Sequence, residues 1–316
     1  MTVASEQLAF VFPGQGSQSI GMLRSLSEVR PEVDSTFAEA SQVLGFDLWR
    51  LVSEGPAEEL NRTENTQPAM LAAGVAVWRL WQAESDARPA WMAGHSLGEY
   101  TALVCAGRIA FADAVQLVRM RGRLMQEAVP EGVGAMAALL GLTDEQVGHL
   151  CRELSTPDAL VAAANFNAPG QVVIAGHAAA VATAVEQAKQ AGAKRAMMLP
   201  VSVPSHCPLM IDAAGKLRAL LSSVSIAPSV VRVVHNVDVG EHPEADDLRD
   251  VLAAQLHESV RWTETVRHLV DQGVTHIVEC GPGKVLAGLN KRIASDCRSM
   301  PIHDLESFAV ARELLV

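Results

Sequence analysis

Short apolar runs alternate along the chain with longer segments whose apolar positions recur at helical spacing. Two runs of strand length, 8–12 and 90–93, are followed by glycine-rich turns and then by helix-like segments. Further strands are predicted at 230–234 and 274–279. Strands that alternate with helices are typical of an α/β architecture with a mostly parallel sheet. The two ends of the chain are therefore predicted to form one large α/β unit.

The middle of the chain has a different order of elements. Strands are predicted over 134–141, 160–166, 171–175 and 195–203, with helices that begin after Thr143 and cover 178–190. Thr143 and Gln146 have capping-box spacing. The resulting β-α-β-β-α-β order is that of a ferredoxin-like unit. We predict a small subdomain over residues 132–202, inserted into a large subdomain formed by 1–131 and 203–316.

Composition narrows the class of protein. The 316 residues are 49% hydrophobic and 19% charged, which favours a globular core, and the net charge is −11. That acidic balance, with 4% aromatic residues, argues against a nucleic-acid partner. No apolar run is long enough to span a membrane, and the N-terminus does not resemble a signal peptide. The five cysteines are scattered, which argues against disulfides and a zinc site. We expect a cytoplasmic monomer with no metal.

One motif points directly to nucleophilic chemistry. Gly94-His-Ser-Leu-Gly98 is a G-x-S-x-G sequence between a predicted strand and a predicted helix, the context of a nucleophile elbow. Such a turn exposes the serine hydroxyl near a helix N-terminus, where developing negative charge is favoured. Ser96 is thus a candidate nucleophile. The alternative is an ordinary strand-to-helix turn with a capping serine.

A serine nucleophile needs a base, and histidine is the usual one. His206 lies in a loop between Pro204 and Pro208, which stiffen the chain on either side of it. His95 adjoins Ser96, but neighbouring side chains diverge at a sharp turn. Cys207 is interpreted as a packing residue, because no second motif supports a thiol nucleophile. His206 is the better candidate base.

Arg121 lies on the apolar stripe of a predicted helix, with Ala114, Leu117, Val118, Leu124 and Met125. A buried guanidinium must find an anion, since an unpaired buried charge costs several kcal/mol. Its partner is either an internal carboxylate or the carboxylate of a substrate, held by the planar fork. Arg119 and Arg123 fall off the stripe and are predicted to be solvated.

Two glycine-rich loops do not fit nucleotide-binding patterns. The loop at Gly14-Gln-Gly16 lacks the third glycine of the dinucleotide fingerprint, and Gly281-Pro-Gly-Lys284 lacks the spacing of a Walker A loop. No nucleotide cofactor is therefore predicted. The first loop could instead present backbone N–H groups to an oxyanion.

Together these segments resemble the malonyl-CoA:acyl-carrier-protein transacylases and, more distantly, the acyltransferase domains of polyketide synthases. The matching stretches occur in the family's order and extend to about residue 293: Phe12-Pro-Gly-Gln-Gly-Ser-Gln18, Gly94-His-Ser-Leu-Gly-Glu99, Met120-Arg-Gly122, Asn165-Phe-Asn-Ala-Pro-Gly-Gln171, Pro204-Ser-His206 and Gly281-Pro-Gly283. The resemblance implies an α/β-hydrolase-like large subdomain with a ferredoxin-like insertion.

The resemblance also implies roles for individual residues. Ser96 would take the acyl group and His206 would be its base, oriented by the main-chain carbonyl of Gln255 rather than by an aspartate. The N–H groups of Gln15 and Leu97 would form the oxyanion hole, and Arg121 would pair with the malonyl carboxylate. One departure is visible after Gln255, where this chain has Glu258-Ser259 and the family often has Asn-Pro.

Further residues are implied at the mouth of the active-site cleft, where coenzyme A or the phosphopantetheine of a carrier protein would enter. These are Asn165, Gln171, Lys194, Arg195 and Arg292. Because carrier proteins are acidic and this chain is too, docking would need a local basic patch. The candidates are Lys194, Arg195, Lys284, Lys291 and Arg292.

The resemblance implies ping-pong transfer of malonyl from malonyl-CoA to the phosphopantetheine thiol of acyl carrier protein, for fatty acid biosynthesis. No cofactor is expected, because malonyl-CoA is a substrate. Three alternatives remain: a stand-alone acyltransferase of a polyketide pathway, a serine hydrolase of acyl thioesters, and a non-catalytic carrier-binding subunit.

Overall fold

Two β-sheets organise the protein, whose computed structural model describes residues 3–201 and 203–315. In chain order the strands are β1 (Leu8–Phe12), β2 (Trp91–Gly94), β3 (Gly134–Leu140), β4 (Val161–Ala168), β5 (Gln171–His177), β6 (Arg195–Met198), β7 (Arg232–Val234), β8 (His276–Cys280) and β9 (Arg298–Ile302).

The helices surround these sheets. In chain order they are α1 (Arg24–Ser27), α2 (Pro31–Leu44), α3 (Leu48–Glu54), α4 (Ala57–Leu60), α5 (Thr63–Glu84), α6 (Gly98–Cys105), α7 (Phe111–Ala128), α8 (Asp144–Leu154), α9 (Ala178–Gln190), α10 (Ile211–Leu221), α11 (Ala245–Ala254), α12 (Trp262–Asp271), α13 (Val285–Ile293) and α14 (Leu305–Leu315).

The larger sheet has the strand order β7-β2-β1-β8-β9, and every pair of neighbours is parallel. All five residues of β1 are buried. Leu8, Phe10 and Phe12 pack in one core cluster, whereas Ala9 and Val11 pack in another on the opposite face. A strand covered on both faces needs a continuous apolar run, which explains the sequence of β1. The predicted α/β class with a parallel sheet is confirmed.

The smaller sheet has the order β4-β5-β3-β6 and is antiparallel throughout. Its strands lie between residues 134 and 198, inside the predicted insertion, and their order along the chain is β-α-β-β-α-β. The helices α8 and α9 pack on one face, and α8 begins with the predicted capping box of Thr143 and Gln146. The opposite face carries Met136 and Val173 toward the large subdomain. The ends of the predicted segments, residues 1, 202 and 316, lie outside the described residues.

Several predicted boundaries are wrong. The last strand of the insertion, predicted over 195–203, ends at Met198, because β6 pairs only with residues 137–140 of β3. Pro200 follows two residues later and cannot donate to a strand ladder. The strand predicted from residue 230 begins at Arg232. The edge strand β9 was not predicted. No helix among the described residues is long and apolar enough to cross a membrane.

Candidate active site

Ser96 occupies a sharp turn between the end of β2 and the start of α6. Its φ of 52° is in the left-handed region, which a residue with a side chain adopts only where the surroundings enforce it. Here the surroundings of Ser96 are tightly packed, because glycines two residues before and two residues after it allow neighbouring backbone to approach closely. A Cβ on Gly94 would lie 1.9 Å from the carbonyl carbon of Gly98, and one on Gly98 would lie 2.0 Å from the carbonyl oxygen of Phe12. The geometry is that of a nucleophile elbow.

His206 reaches Ser96 from a loop 110 residues further along the chain. Its Nε2 lies 2.8 Å from Ser96 Oγ, and its Nδ1 lies 2.6 Å from the main-chain carbonyl oxygen of Gln255. A carbonyl can only accept, so Nδ1 carries the proton and Nε2 presents its lone pair to the serine hydroxyl. His206 also has a positive φ, of 60°, and its N–H donates to the carbonyl of Leu256.

The surroundings of His206 keep its imidazole neutral. It is only 3% exposed, and burial together with the positive charge of Arg121 lowers the pKa of His206 to about 3. The Gln255 carbonyl opposes this shift without overcoming it. His206 is therefore ready to accept a proton from Ser96 throughout the neutral pH range.

Arg121 is buried beside these two residues. Its guanidinium donates to Gln67 Oε1 at 2.9 Å, Gln255 Oε1 at 3.0 Å and Ser96 Oγ at 3.3 Å, and lies over the ring of Tyr100. Burial lowers the pKa of Arg121, although Tyr100 and Glu99 oppose the effect. The acceptors are thus neutral, and no carboxylate of the described residues pairs directly with the guanidinium. Of the two partners considered from sequence, an internal carboxylate is absent from the described site.

Two backbone N–H groups beside Ser96 are candidates to stabilise a negative oxygen. Leu97 directly follows the nucleophile at the N-terminal end of α6, and Gln15 lies in the glycine turn after β1. Both line the same cleft as Ser96, and among the described residues neither N–H has a hydrogen-bond acceptor. A serine, a neutral histidine and two free donors are the components of acyl-transfer catalysis.

Residues 9–311 match the family model described as the acyl transferase domain. The chain belongs to this family. It is an acyltransferase, and the resemblance stated from the motifs is confirmed.

Individual relatives agree with the family match. The malonyl CoA-acyl carrier protein transacylase of Escherichia coli strain K12 is 55% identical over 308 residues, which cover 98% of this chain and 99% of that protein. A crystal structure of a malonyl-CoA:acyl carrier protein transacylase from Xanthomonas oryzae has a TM-score of 0.96 at 52% identity and covers 99% of both chains. A malonyl-transacylase in complex with a type II polyketide synthase acyl carrier protein has a TM-score of 0.96 at 52% identity, over 98% of this chain and 99% of that one.

The acyltransferase cleft has a volume of about 590 Å³ and runs between the two sheets. Asn165 and Gln171, predicted at the cleft, line it. Arg292 is exposed at its edge, where the guanidinium contacts the side chain of Gln171 and the carbonyl of Pro169. Lys194 and Arg195 are exposed and do not line the cleft. They lie at the start of the edge strand β6, whereas the cleft is lined by the segment after that strand.

The structure bears on three further sequence predictions. Arg119 and Arg123 are half-buried rather than solvated, because Arg119 donates to the carbonyl of Leu44 and Arg123 forms a 2.8 Å ion pair with Glu64. Cys207 is fully buried, and burial raises the pKa of its thiol to about 11, which agrees with a packing role. His95 Nε2 donates to Asn167 Oδ1 at 2.7 Å, so His95 is not the base for Ser96.

Sequence reasoning missed a buried polar cluster behind Ser96. Asn236, after β7, accepts from the Ser96 N–H at 2.7 Å and donates to the Gly94 carbonyl. Glu99 and His235 lie next to it, at a distance of 2.6 Å from each other. Glu99 ends the motif that begins at Gly94, but nothing in the sequence distinguishes it from an exposed acid in the first turn of a helix.

Proposed function

We propose that this acyltransferase transfers a malonyl group from malonyl-CoA to the phosphopantetheine thiol of an acyl carrier protein, and so supplies extender units for fatty acid synthesis. The observation that carries the proposal is the position of Arg121, whose Nη2 lies 3.3 Å from the nucleophile. In a malonyl group one methylene separates the carboxylate from the reacting carbonyl. A carboxylate that close to the reacting atom suits a guanidinium next to Ser96.

The proposed first half-reaction forms a malonyl ester on Ser96. His206 Nε2 takes the hydroxyl proton as Oγ attacks the thioester carbonyl carbon, and the N–H groups of Gln15 and Leu97 stabilise the resulting oxyanion. Collapse of this intermediate breaks the carbon–sulfur bond. Coenzyme A leaves as the thiol, with the proton returned by His206.

The second half-reaction reverses these roles. The phosphopantetheine thiol gives its proton to His206 and attacks the ester, and Ser96 regains the proton as it leaves. Arg121 holds the malonyl carboxylate in both halves. The chemistry needs no bound cofactor, because the activated acyl group arrives as a thioester.

The test is the intact mass of the protein after brief mixing with malonyl-CoA. We expect one malonyl group on the wild-type chain, none on Ser96→Ala, and loss of the group when a phosphopantetheinylated carrier protein is added. Steady release of free malonate without transfer would instead indicate a thioester hydrolase. Absence of both adduct and turnover would overturn the proposal.

Polyketide synthesis is a specific alternative to fatty acid synthesis, because one of the similar structures is a transacylase bound to a polyketide carrier protein. Every residue of the mechanism would be shared, so only the acceptor distinguishes the two. We expect faster transfer to a fatty acid carrier than to a type II polyketide carrier. The opposite order of rates would assign the chain to polyketide synthesis.

A further inference from the structure

Glu99 is a fully buried carboxylate for which the proposed reaction has no use. It is 0% exposed, lies in the first turn of α6 and does not line the cleft. Its two oxygens accept three hydrogen bonds, from His235 Nδ1 at 2.6 Å, the N–H of Asn236 at 3.0 Å and Gln255 Nε2 at 2.8 Å. A buried charge with this many donors is held in one place.

The contact with Gln255 determines which way that amide faces. Gln255 Nε2 donates to Glu99 and also to the main-chain carbonyl of Ser96 at 3.1 Å, and both of these partners can only accept. Gln255 Oε1 accepts from Arg121 Nη2, which can only donate. The reversed amide would direct its NH₂ group at the guanidinium and its oxygen at a carboxylate. Glu99 therefore excludes the reversed orientation.

Arg121 depends on this amide for its position. Its other amide acceptor is Gln67 Oε1, and within residues 3–201 and 203–315 the one partner of Gln67 Nε2 is the sulfur of Met125, at 3.4 Å. The Arg121 Nε has no partner in the described structure. Of the two amides that hold the guanidinium, the Gln255 amide is the one fixed by a charged group.

We propose that Glu99 is a positioning residue for acyl-group selection, which acts through the Gln255 side chain to hold Arg121 where it receives the carboxylate of the acyl group. The inference rests on the proposed function. It gives Gln255 two separate tasks: its main-chain carbonyl orients His206, and its side chain orients Arg121.

The contact of Glu99 with Asn236 suggests a competing role for this carboxylate. Asn236, whose N–H donates to Glu99, also accepts from the Ser96 N–H through Oδ1. If Glu99 mattered mainly through this route, its loss would disturb the nucleophile itself. Every acyl group would then be affected equally, whether or not it carries a carboxylate. The two roles are therefore distinguished by comparing acyl groups.

The experiment measures acyl-enzyme formation from malonyl-CoA and from acetyl-CoA with the full chain. A glutamine at position 99 can keep its oxygen toward Gln255 and Asn236 with its NH₂ facing His235, so the test variant is Glu99→Met. Glu99→Met leaves no oxygen to accept from Gln255 Nε2, and the Gln255 amide can then turn its NH₂ toward Arg121. We expect the malonyl rate to fall on the order of tenfold, the scale of a hydrogen bond to a charged group, and the acetyl rate to change less than about twofold. Equal losses for both donors would overturn the proposal.

Glu279→Met is the matched control. Glu279 is also a fully buried carboxylate, but it accepts the N–H groups of Leu286 and Ala287 at the start of α13 and does not contact Arg121. We expect its malonyl-to-acetyl ratio to stay within about twofold of the wild-type ratio. A selective malonyl loss in this variant would show that any buried carboxylate has the effect.

A double-mutant cycle tests the route through Arg121. In an Arg121→Ala background, Glu99→Met should cause no further malonyl loss, whereas additive losses would contradict the proposal. Should Glu99→Met fail to fold, Gln255→Met removes the side-chain contact with Arg121, keeps the main-chain carbonyl, and is expected to lower the malonyl-to-acetyl ratio by a similar factor. Wild-type chain that forms no malonyl-enzyme would refute the proposed function itself, separately from the role of Glu99.

Discussion

Arg121 is a buried cation whose hydrogen-bond partners among the described residues are all neutral. The residue is 1% exposed, and its guanidinium is bound by two amide oxygens and a serine hydroxyl. Desolvating a charge in this way is costly unless an anion completes the site. We infer that the buried charge of Arg121 is tolerated because the carboxylate of the acyl group pairs with it when substrate binds.

Arg121→Ala is expected to impair malonyl transfer far more than acetyl transfer. Removing one partner of a buried charge pair costs about 2 kcal/mol or more, which corresponds to at least roughly thirtyfold in kcat/KM for malonyl-CoA. Acetyl-CoA has no carboxylate to lose. The measurement is kcat/KM for both donors. Similar losses for the two would mean that Arg121 acts on Ser96 and not on the acyl group.

The lowered pKa of His206 leads us to expect an unusual pH dependence of the reaction rate. Burial and Arg121 lower the pKa of His206 from 6.5 to about 3, so the free enzyme keeps its base unprotonated as the pH falls. We expect kcat/KM for malonyl-CoA to show no inflection near pH 6.5 when it is measured between about pH 5 and pH 8.

Bound malonyl-CoA should change the pKa of His206. A malonyl carboxylate offsets the charge of Arg121, which raises the pKa of His206 in the complex. The acidic limb of kcat should therefore lie at higher pH than that of kcat/KM. An ordinary histidine inflection in kcat/KM, close to pH 6.5, would contradict the burial argument.

At the level of secondary-structure elements, the nucleophile and two residues that support it lie just after the carboxyl ends of neighbouring parallel strands. Gln15 follows β1, Ser96 follows β2 and Asn236 follows β7. Parallel strands bring these ends to one edge of a sheet, which is where ligands bind in open α/β folds. The N-terminus of α6 faces the same edge and adds a favourable dipole beneath the oxyanion.

Gly98→Ala should distort this edge. The added Cβ would lie 2.0 Å from the Phe12 carbonyl oxygen, which belongs to backbone and cannot simply move aside. We expect a loss of about 1–3 kcal/mol in the free energy of unfolding, measured by denaturant titration, together with slower acyl-enzyme formation.

Gly215→Ala is the matched control, because Gly215 lies within the helix α10 and a Cβ there meets nothing within 4 Å. Alanine in that position should raise the free energy of unfolding by about 0.4–1 kcal/mol. If both substitutions had the same effect, close packing at the elbow would not be the cause.

At the scale of the whole molecule, the cleft exists because two different sheets face each other. The antiparallel sheet covers one face with α8 and α9 and leaves Met136 and Val173 on the other, above Ser96. The helix α13 closes a further side with Leu286 and Leu289. Substrate therefore reacts between two subdomains and not within either.

Because the net charge of the chain is −11, docking of an acidic carrier protein would depend on a local basic patch. Lys284, Lys291 and Arg292 lie on or beside α13 and are exposed. We expect Lys291→Glu to slow malonyl transfer to the carrier protein by roughly threefold to tenfold at low salt, since like charges disfavour encounter. Transfer to free pantetheine, which is uncharged, should be unaffected.

Lys216→Glu is the control for net charge, since Lys216 is exposed on α10 and does not line the cleft. It should leave both transfer rates unchanged, and the Lys291→Glu effect should shrink as salt is added. An equal effect of the two substitutions on carrier transfer would contradict a local docking patch.

Features that depend on residues close to one another along the chain could be predicted without the structure. The capping box at Thr143, the strand–turn–helix around Ser96 and the apolar stripe of Arg121 all arise from positions within one or two helical turns. Local sterics and periodicity set such features, so they could be predicted together with the α/β class and the order of the insertion.

Contacts between groups far apart along the chain depend instead on how the whole protein packs. His206 contacts Ser96 across 110 residues, and Gln255 contacts Arg121 across 134. The motifs and the family resemblance led to these residues, but no local pattern specified that the Gln255 side chain would hold Arg121, that Glu99 would be buried, or that Lys194 would not line the cleft. Such contacts depend on how strands and helices pack against one another, and packing is a property of the whole chain.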